Sequence, residues 1–296
     1  MKKVNNITLV ILAGGDNNRM GISGKITPKP LMSTLDECLI VRHIRHAKEA
    51  NINKIIISTN NKIYKRVKEC LKYWGYSDIK VINNPEHKKD SLSALYKVIN
   101  TNKIGKLVMS FADIFFLENP YLKFINENHN NFLGISPVFN KKELTMGGIV
   151  FLKSNKNIEK IVELPFKDNK KGFRWNGLAC FDISLKNELK YFLESNKSNV
   201  PEGDFFDYMI KRGITFNVCQ CSDFINVNRP EDLLSASLYR YAELSKSKNI
   251  RLMAEKIREN YIKNFSKLSD KWGQPPFITI NGVSHHLSRG NNRNGG

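Results

Sequence analysis

The sequence predicts an α/β protein: a mixed, mainly parallel sheet covered by helices on both faces, followed by a C-terminal helical extension. Three observations predict it. Residues 7–13 (ITLVILA) form a continuous apolar run rich in β-branched side chains that ends at Gly14-Gly15, the pattern of a strand buried on both faces. Strand-like and helix-like segments then alternate as far as Asp113, the way a parallel sheet collects its crossover helices. Near the C-terminus, apolar residues instead recur at three- and four-residue steps.

In chain order, 38–50 (CLIVRHIRHAKEA) shows helical spacing and 55–59 (IIIST) reads as a second buried strand. An amphipathic helix over 63–74, a short strand over 79–82, a helix over 91–99 and a strand over 107–111 (LVMSF) follow, the last ending at Ala112-Asp113. The order is Rossmann-like, and such sheets bind ligands beyond the carboxyl ends of their strands, where Gly14-Gly15 and Asp113 fall. After about residue 132, strands at 149–152, 158–163 and 178–182 mix with loops holding Met146-Gly147-Gly148 and Arg174-Trp175-Asn176-Gly177. A helix over 204–211 and a strand over 215–218 come next. Residues 224–228 lead through Pro230-Glu231-Asp232 into a helix, with Pro in its first turn and acids that favour its dipole. Ala254, Ile257, Tyr261, Phe265, Leu268 and Trp272 form the apolar stripe of a tail helix, and the terminal RGNNRNGG reads as disordered.

Of 296 residues, 47 are Lys or Arg and 28 Asp or Glu, a formal net charge of +19. Hydrophobic residues at 41%, with 18 Gly and 10 Pro, exclude disordered, collagen-like and coiled-coil chains. No apolar run approaches the roughly 18 residues of a membrane span. The run over 7–13 is too short for a signal peptide. The five cysteines show no C-x-x-C pair, and their plain reading is reduced thiols in a cytoplasmic protein. His43 and His46 read as packing or surface groups, and no Ser-His-Asp arrangement is suggested. The charge by itself admits nucleic acid, an anionic membrane or phosphorylated small molecules. From residue 235 onward there are 11 basic and 4 acidic residues, a net +7.

Three stretches carry chemistry. In Leu12-Ala13-Gly14-Gly15-Asp16-Asn17-Asn18-Arg19-Met20 the glycines let backbone N–H groups approach phosphate oxygens, and Arg19, with Lys29 of Thr27-Pro28-Lys29-Pro30-Leu31, supplies compensating charge. This is neither the G-x-G-x-x-G fingerprint nor a P-loop. Asp113, at a strand end, is placed either to hold Mg²⁺ against a polyphosphate or to cap a loop. The third stretch is Phe224-Ile225-Asn226-Val227-Asn228-Arg229-Pro230-Glu231-Asp232-Leu233.

In this order the motifs resemble those of the sugar-1-phosphate nucleotidyltransferase superfamily, over about residues 7–240. The resemblance implies a nucleotidyltransferase catalytic domain over 1–240 and a basic helical extension over 241–296. Leu12, Ala13, Gly14, Gly15, Arg19 and Lys29 would bind the nucleotide, with Arg19 and Lys29 as the catalytic cations. Asp113 would be a metal ligand, joined by Asn226 or Asn228 where relatives have D-I-N-T-P-E-D-L. Ser91, in Lys88-Lys89-Asp90-Ser91-Leu92, stands where relatives read the base, and is equally a helix N-cap. Ser-Leu here is similar to the cytidylyltransferase branch, phosphocholine cytidylyltransferases included. Glu163 in IEKIVELP, Asn176 and Gly177, and Glu202 and Asp204 fall where relatives contact the acceptor. Leu164 replaces the family's Lys, which leaves Lys167 or Arg174 for the acceptor phosphate.

The reaction so implied is Mg²⁺-dependent transfer of a nucleotidyl group, CTP favoured, to a small phosphorylated acceptor such as a sugar 1-phosphate or a phosphocholine-like compound. Pyrophosphate is released, and the product is a precursor of cell-surface polysaccharide. The alternatives are a nucleotide-sugar-dependent glycosyltransferase, which would carry D-x-D where this chain has Asp113-Ile114-Phe115, and a non-catalytic nucleotide-binding protein. No nucleic-acid-binding pattern is present. The tail helix is expected either to pack on the core or to pair subunits in a homo-oligomer.

Overall fold

The structure, a computed structural model, describes residues 7–15, 18–127, 130–137, 148–154, 156–163, 172–196 and 200–259. The first strand, β1 (Ile7–Leu12), buries all but its first residue, so it needs a covered sheet on either side. It pairs in parallel with β2 (Lys54–Thr59) and β4 (Lys106–Phe111), and β2 pairs in parallel with β3 (Lys80–Asn83). The chain therefore runs outward from β1 to β3 and then returns to β4 on β1's other side. That makes the gap between β1 and β4 a topological switch point, where open α/β sheets take their ligands.

Helices cover both faces, as expected. On one face lie α2 (Leu39–Glu49) and α3 (Tyr64–Tyr73), packing Ile40, Ile44, Val67 and Leu71 against Leu9, Ile11 and Ile57. On the other, α4 (Ser91–Thr101), α6 (Lys186–Ser195) and α7 (Glu202–Lys211) pack Leu95, Phe192, Phe205 and Met209 against Val10, Ile56 and Met109. The short α1 (Gly21–Ile26) and α5 (Tyr121–Phe124) lie in connections.

The sheet itself corrects the expectation of mainly parallel strands. β9 (Phe173–Asp182) runs antiparallel to β4 and opens a second half, in the order β9-β6-β10-β8-β7. There β6 (Phe132–Ser136) and β10 (Asn217–Gln220) are parallel, whereas β7 (Ile149–Ser154), β8 (Asn157–Val162) and β9 pair antiparallel. Because β7 also bonds back to β9, these five strands close into a ring beside the open parallel half. The physical reason is connection length: β7 and β8 are separated by only two residues, and a parallel pair needs a crossover of a dozen residues or more.

A two-stranded ribbon completes the site. β5 (Ile114–Phe116) pairs antiparallel with β11 (Phe224–Asn226), which sets Asn226 opposite Ile114 and lets Val227 N–H donate to the Asp113 carbonyl at 2.8 Å. After β11, α8 (Pro230–Ser245) runs through residue 240 without a break. Its Arg240 grips Asp36 with two hydrogen bonds of 2.7 Å, and Glu243 accepts from Arg42 at 2.8 Å. The helical segment 248–259 that follows buries Ala254 among Leu39, Phe115, Ile225 and Tyr239, so this part of the tail packs on its own core. The stripe from Tyr261 to Trp272 and the terminal RGNNRNGG lie outside the described residues, within which no helix is long and apolar enough to cross a membrane. All five cysteines are free.

Candidate active site

The loop after β1 is pinned from below. Ala13 N–H donates to the Ser58 carbonyl at 2.8 Å, Ala112 N–H to the Leu12 carbonyl at 3.0 Å, and the Asn60 amide to the Gly14 carbonyl at 2.9 Å. Under Gly14 lies the ring of His87, whose Nε2 is 2.9 Å from Ser58 Oγ. A Cβ on Gly14 would sit 2.1 Å from His87 Cγ, so glycine here is a packing requirement. Burial holds the His87 imidazole down to about 4, hence neutral at ordinary pH. Gly15 is exposed at the loop tip and Arg19 is exposed on the turn Asn18–Met20. Asp16 and Asn17 lie outside the described residues. His87 sits in an aperiodic turn, Pro85–Lys88, and no spacing in the sequence points to it.

Lys29 is carried into the switch point by the turn Lys29–Leu31, which Pro28 enters in extended conformation. Its side chain is buried, and Nζ donates to Asp113 Oδ2 at 3.1 Å and to Asn228 Oδ1 at 2.7 Å. The Asn228 turn is itself held by Asp232, whose carboxylate accepts the N–H groups of Asn228 and Arg229 at 3.0 and 2.9 Å. Burial outweighs those bonds and pushes the Asp232 carboxyl up to about 6. Asn226 Oδ1 is buried with no hydrogen-bond partner among the described residues. No group of three or more His, Cys, Asp and Glu side chains suited to a metal occurs among them either. The available donors are thus one carboxylate and two amide oxygens: hard ligands that suit a hard divalent cation retaining waters, one of them an orphaned buried oxygen.

Beside this cluster lies a cavity of about 150 Å³ lined by Glu163, Arg174, Asn176, Gly177, Glu202 and Asn226, with Phe111, Trp175 and Phe224 as aromatic walls. Four of the five residues expected at the acceptor thus come together: Glu163, Asn176, Gly177 and Glu202. The fifth, Asp204, is exposed in the first turn of α7 and does not line the cavity. Glu163 Oε1 accepts the Gly203 N–H at 2.9 Å, and burial, reinforced by the Glu202 charge, pushes its carboxyl up to about 7. Burial likewise raises Glu202, which accepts a hydrogen bond from the Ser91 hydroxyl. Gly177 holds φ at +78° against Ile114, where a Cβ would come 2.3 Å from the Ile114 Cδ1. The Arg174 guanidinium lies 4.3 Å from the Phe224 ring centroid, with Nη1 3.3 Å from Asp223 Oδ1. Leu164 and Lys167 lie outside the described residues, as do Met146 and Gly147.

One assignment changes, and one takes the packing form of the two expected. The N-cap of α4 is Asp90, which accepts the Ser93 N–H at 2.6 Å, not Ser91, whose hydroxyl turns to Glu202 instead. His43 is buried between the Tyr121 hydroxyl and the Ile114 carbonyl, at 2.8 and 2.9 Å, so it braces the underside of the ribbon that carries the site.

At the switch point, the glycine loop, a buried lysine on a strand-end aspartate and a polar cavity thus lie side by side. Residues 9–148 match the family model described as the MobA-like NTP transferase domain, a stretch that includes the glycine loop, Lys29, Ser91 and Asp113. A curated relative, the bifunctional IPC transferase and DIPP synthase of Aquifex aeolicus, is 32% identical over 89 residues, 30% of this chain, and the matched stretch spans about a fifth (21%) of that protein's length. Among solved structures, a glucose-1-phosphate thymidylyltransferase from Bacillus anthracis superposes with a TM-score of 0.67 at 21% identity, over 78% of this chain and 94% of its own. The inositol-1-phosphate CTP transferase of T. maritima gives 0.65 at 15% identity, over 85% and 96%. A UDP-glucose pyrophosphorylase complexed with UDP-glucose gives 0.65 at 15%, over 80% and 99%. The structural likenesses establish the shared mixed α/β fold.

Proposed function

We propose that this chain joins a nucleoside triphosphate, CTP by preference, to a small phosphorylated acceptor and releases pyrophosphate. The observation that carries the reading is the meeting of Lys29 with Asp113 and Asn228 beside the Gly14-Gly15 loop, next to a cavity holding one arginine and two carboxyls. The backbone of the loop and the side chains of Arg19 and Lys29 receive the triphosphate and stabilise the departing pyrophosphate. The acceptor phosphate, ionised near neutral pH, attacks the α-phosphorus in line. No general base is needed, and positioning and charge neutralisation supply the catalysis. Arg174 takes the acceptor phosphate in place of the family's lysine, while Glu163, Glu202 and Asn176 contact the rest of the acceptor. Asp113 with Asn226 or Asn228 would hold Mg²⁺, which when bound offsets charge on phosphate oxygens.

For the nucleotide, the Ser91-Leu92 pair and the inositol-1-phosphate CTP transferase among the structural neighbours favour CTP. For the acceptor, carboxyls and an amide suit the hydroxyls of a sugar or polyol 1-phosphate, and aromatic walls with acidic groups also suit the ammonium of a phosphocholine-like compound. The test is pyrophosphate release over a matrix of four triphosphates and several phosphate monoesters with Mg²⁺, run alongside Lys29→Ala. Release with CTP and one acceptor class, abolished in the variant, is the expected result. No release above the variant's background for any pair would sink the reading. A glycosyltransferase finds no support, because both residues after Asp113 are buried apolar strand residues and leave no second carboxylate there.

A further inference from the structure

Two carboxyls line the acceptor cavity, and a different helix holds each of them. Glu163, which follows β8, accepts the Gly203 N–H of α7 at 2.9 Å. A Cβ on Gly203 would come 2.2 Å from the same oxygen, so this close approach depends on glycine. Glu202, the first residue of α7, is held from across the fold. It accepts the hydroxyl of Ser91, the first residue of α4, which lies 111 positions earlier in the chain. Among the described residues no other side chain hydrogen-bonds Glu202.

The Ser91 hydroxyl is not needed to start α4. Asp90 is the N-cap and accepts the Ser93 N–H at 2.6 Å, so Ser91 occupies the first helical position with its side chain turned to α7. The same end of α4 is tied to the glycine loop. Asn84, which caps the turn Pro85–Lys88, donates to the Ala94 carbonyl at 2.8 Å and to Ser58 Oγ at 3.0 Å, and His87 of that turn packs under Gly14. The Ser91–Glu202 bond therefore runs from the element that braces the loop to the wall of the cavity. Burial, with the charges of Asp90 and Asp113, pushes the Glu202 carboxyl up, and the Ser91 hydroxyl and the residue's own N–H oppose that push. Without a donor from a rigid element, so long a side chain samples several rotamers, and the cost of ordering it then weakens ligand binding.

We propose that Ser91 is a positioning residue for the acceptor: its hydroxyl sets the rotamer of Glu202 in the cavity wall before the acceptor arrives. Through α4 the same contact ties that wall to the turn under the glycine loop. The assignment rests on the acceptor role proposed above for the cavity. It gives the hydroxyl that the sequence places on the nucleotide side a task on the acceptor side.

Ser91→Ala deletes one oxygen and leaves the Asp90 cap in place, so the full chain can be tested folded. Binding of inositol 1-phosphate and phosphocholine is measured by calorimetry, pyrophosphate release with CTP is followed in parallel, and the side-chain carboxyl of Glu202 is titrated by carbon NMR. Ser91→Ala is expected to weaken binding of the better monoester about ten-fold, which is about 1.4 kcal/mol. It is also expected to move the Glu202 titration to higher pH, because a donor to the ionised form is lost while Glu163, Asp90 and Asp113 stay in place. Ser91→Thr, which keeps a hydroxyl, is expected to restore most of both effects. A packing role alone leaves the Glu202 titration where it is. Unchanged affinity for the better monoester in Ser91→Ala overturns the proposal, as does an unshifted Glu202 titration or a wild type that binds neither probe. Pyrophosphate release by the wild type together with any of those results leaves the transferase reading standing. Weakened binding and a shifted titration in a protein that releases no pyrophosphate keep Ser91 in this role and remove the transferase reading instead.

Discussion

Lys29 and Asp113 stand 84 positions apart in the chain, and their charged atoms meet at 3.1 Å where the sheet reverses its order. The lysine is buried while the aspartate keeps 29% of its side chain exposed, so one end of the pair is fixed and the other faces the site. Asn228 Oδ1 gives the ammonium a second neighbour, so Lys29 bridges the two segments expected to carry the metal ligands. Lys29→Ala and Asp113→Ala are each expected to lower nucleotidyl transfer by at least about 100-fold, the scale found when one preorganised charge-stabilising group is removed. Circular dichroism should report an intact fold in both. Near-normal turnover in either variant would remove that residue from the catalytic machinery.

Gly14 and His87 form a second dependency. Because a Cβ on residue 14 would occupy the imidazole's place, Gly14→Ala must displace either the ring or the loop that presents its N–H groups. The expected outcome is a CTP KM raised about ten-fold or more, corresponding to about 1.4 kcal/mol of lost binding. His87→Ala opens the space, so the double variant should bind CTP better than Gly14→Ala alone. Additive losses in a double-mutant cycle would show that the two residues do not compete for the same volume.

Where apolar periodicity governs, the sequence was readable. The strands expected over 55–59, 79–82 and 107–111 and the helices over 38–50, 63–74 and 91–99 all form, with ends moved by one or two residues. What spacing does not encode is closure. β6 is a five-residue run, FLGIS, with no alternation to mark it, and the ring depends on β7 reaching β9, a pairing decided by tertiary contacts. The site divides the same way. The loop glycines, Lys29, Asp113 and the Asn226–Asn228 stretch announce themselves as motifs, whereas His87 is brought under the loop by neighbours that only the fold supplies. Ser91 and Asp90 are both good cap formers at adjacent positions, and the nearby Glu202 draws the Ser91 hydroxyl away.

The raised Glu163 carboxyl gives stability a pH dependence of definite sign. Folded, the group titrates at about 7, above the ordinary glutamate value of 4.5, so between those pH values the folded chain binds more protons than the unfolded one. Its contribution to stability is therefore fully present below about pH 4.5 and is lost as pH rises through 7. Glu163→Gln retains an oxygen for the Gly203 N–H and removes the titration. The Tm of Glu163→Gln minus that of the wild type, measured without ligand, should rise from pH 5 to pH 8. A difference that stays flat across that interval would place the Glu163 titration outside it.

The attachment of α8 to α2 concentrates charge where water is scarce. Arg42 is 2% exposed; it donates to Glu37 at 2.9 Å, to Glu243 at 2.8 Å and twice to the Phe116 carbonyl, while its guanidinium lies 4.1 Å from the Phe115 ring centroid. Glu37 is 3% exposed and also accepts from Arg45. Removing one member of so buried a cluster leaves the others without their counter-charge, at a cost of about 3–5 kcal/mol. Glu243, at 39% exposure, sits at the wet edge, where an ion pair contributes about 0–1 kcal/mol. Arg42→Met should therefore lower the urea unfolding free energy by several kcal/mol at low and high salt alike, and Glu243→Ala by no more than about 1 kcal/mol, fading as salt rises. Because β5, which directly follows Asp113, hangs from Arg42 through Phe116, Arg42→Met should also reduce turnover at temperatures where the protein remains folded. Equal destabilisation by the two variants would mean that the cluster is hydrated and that α8 is held by its apolar contacts alone.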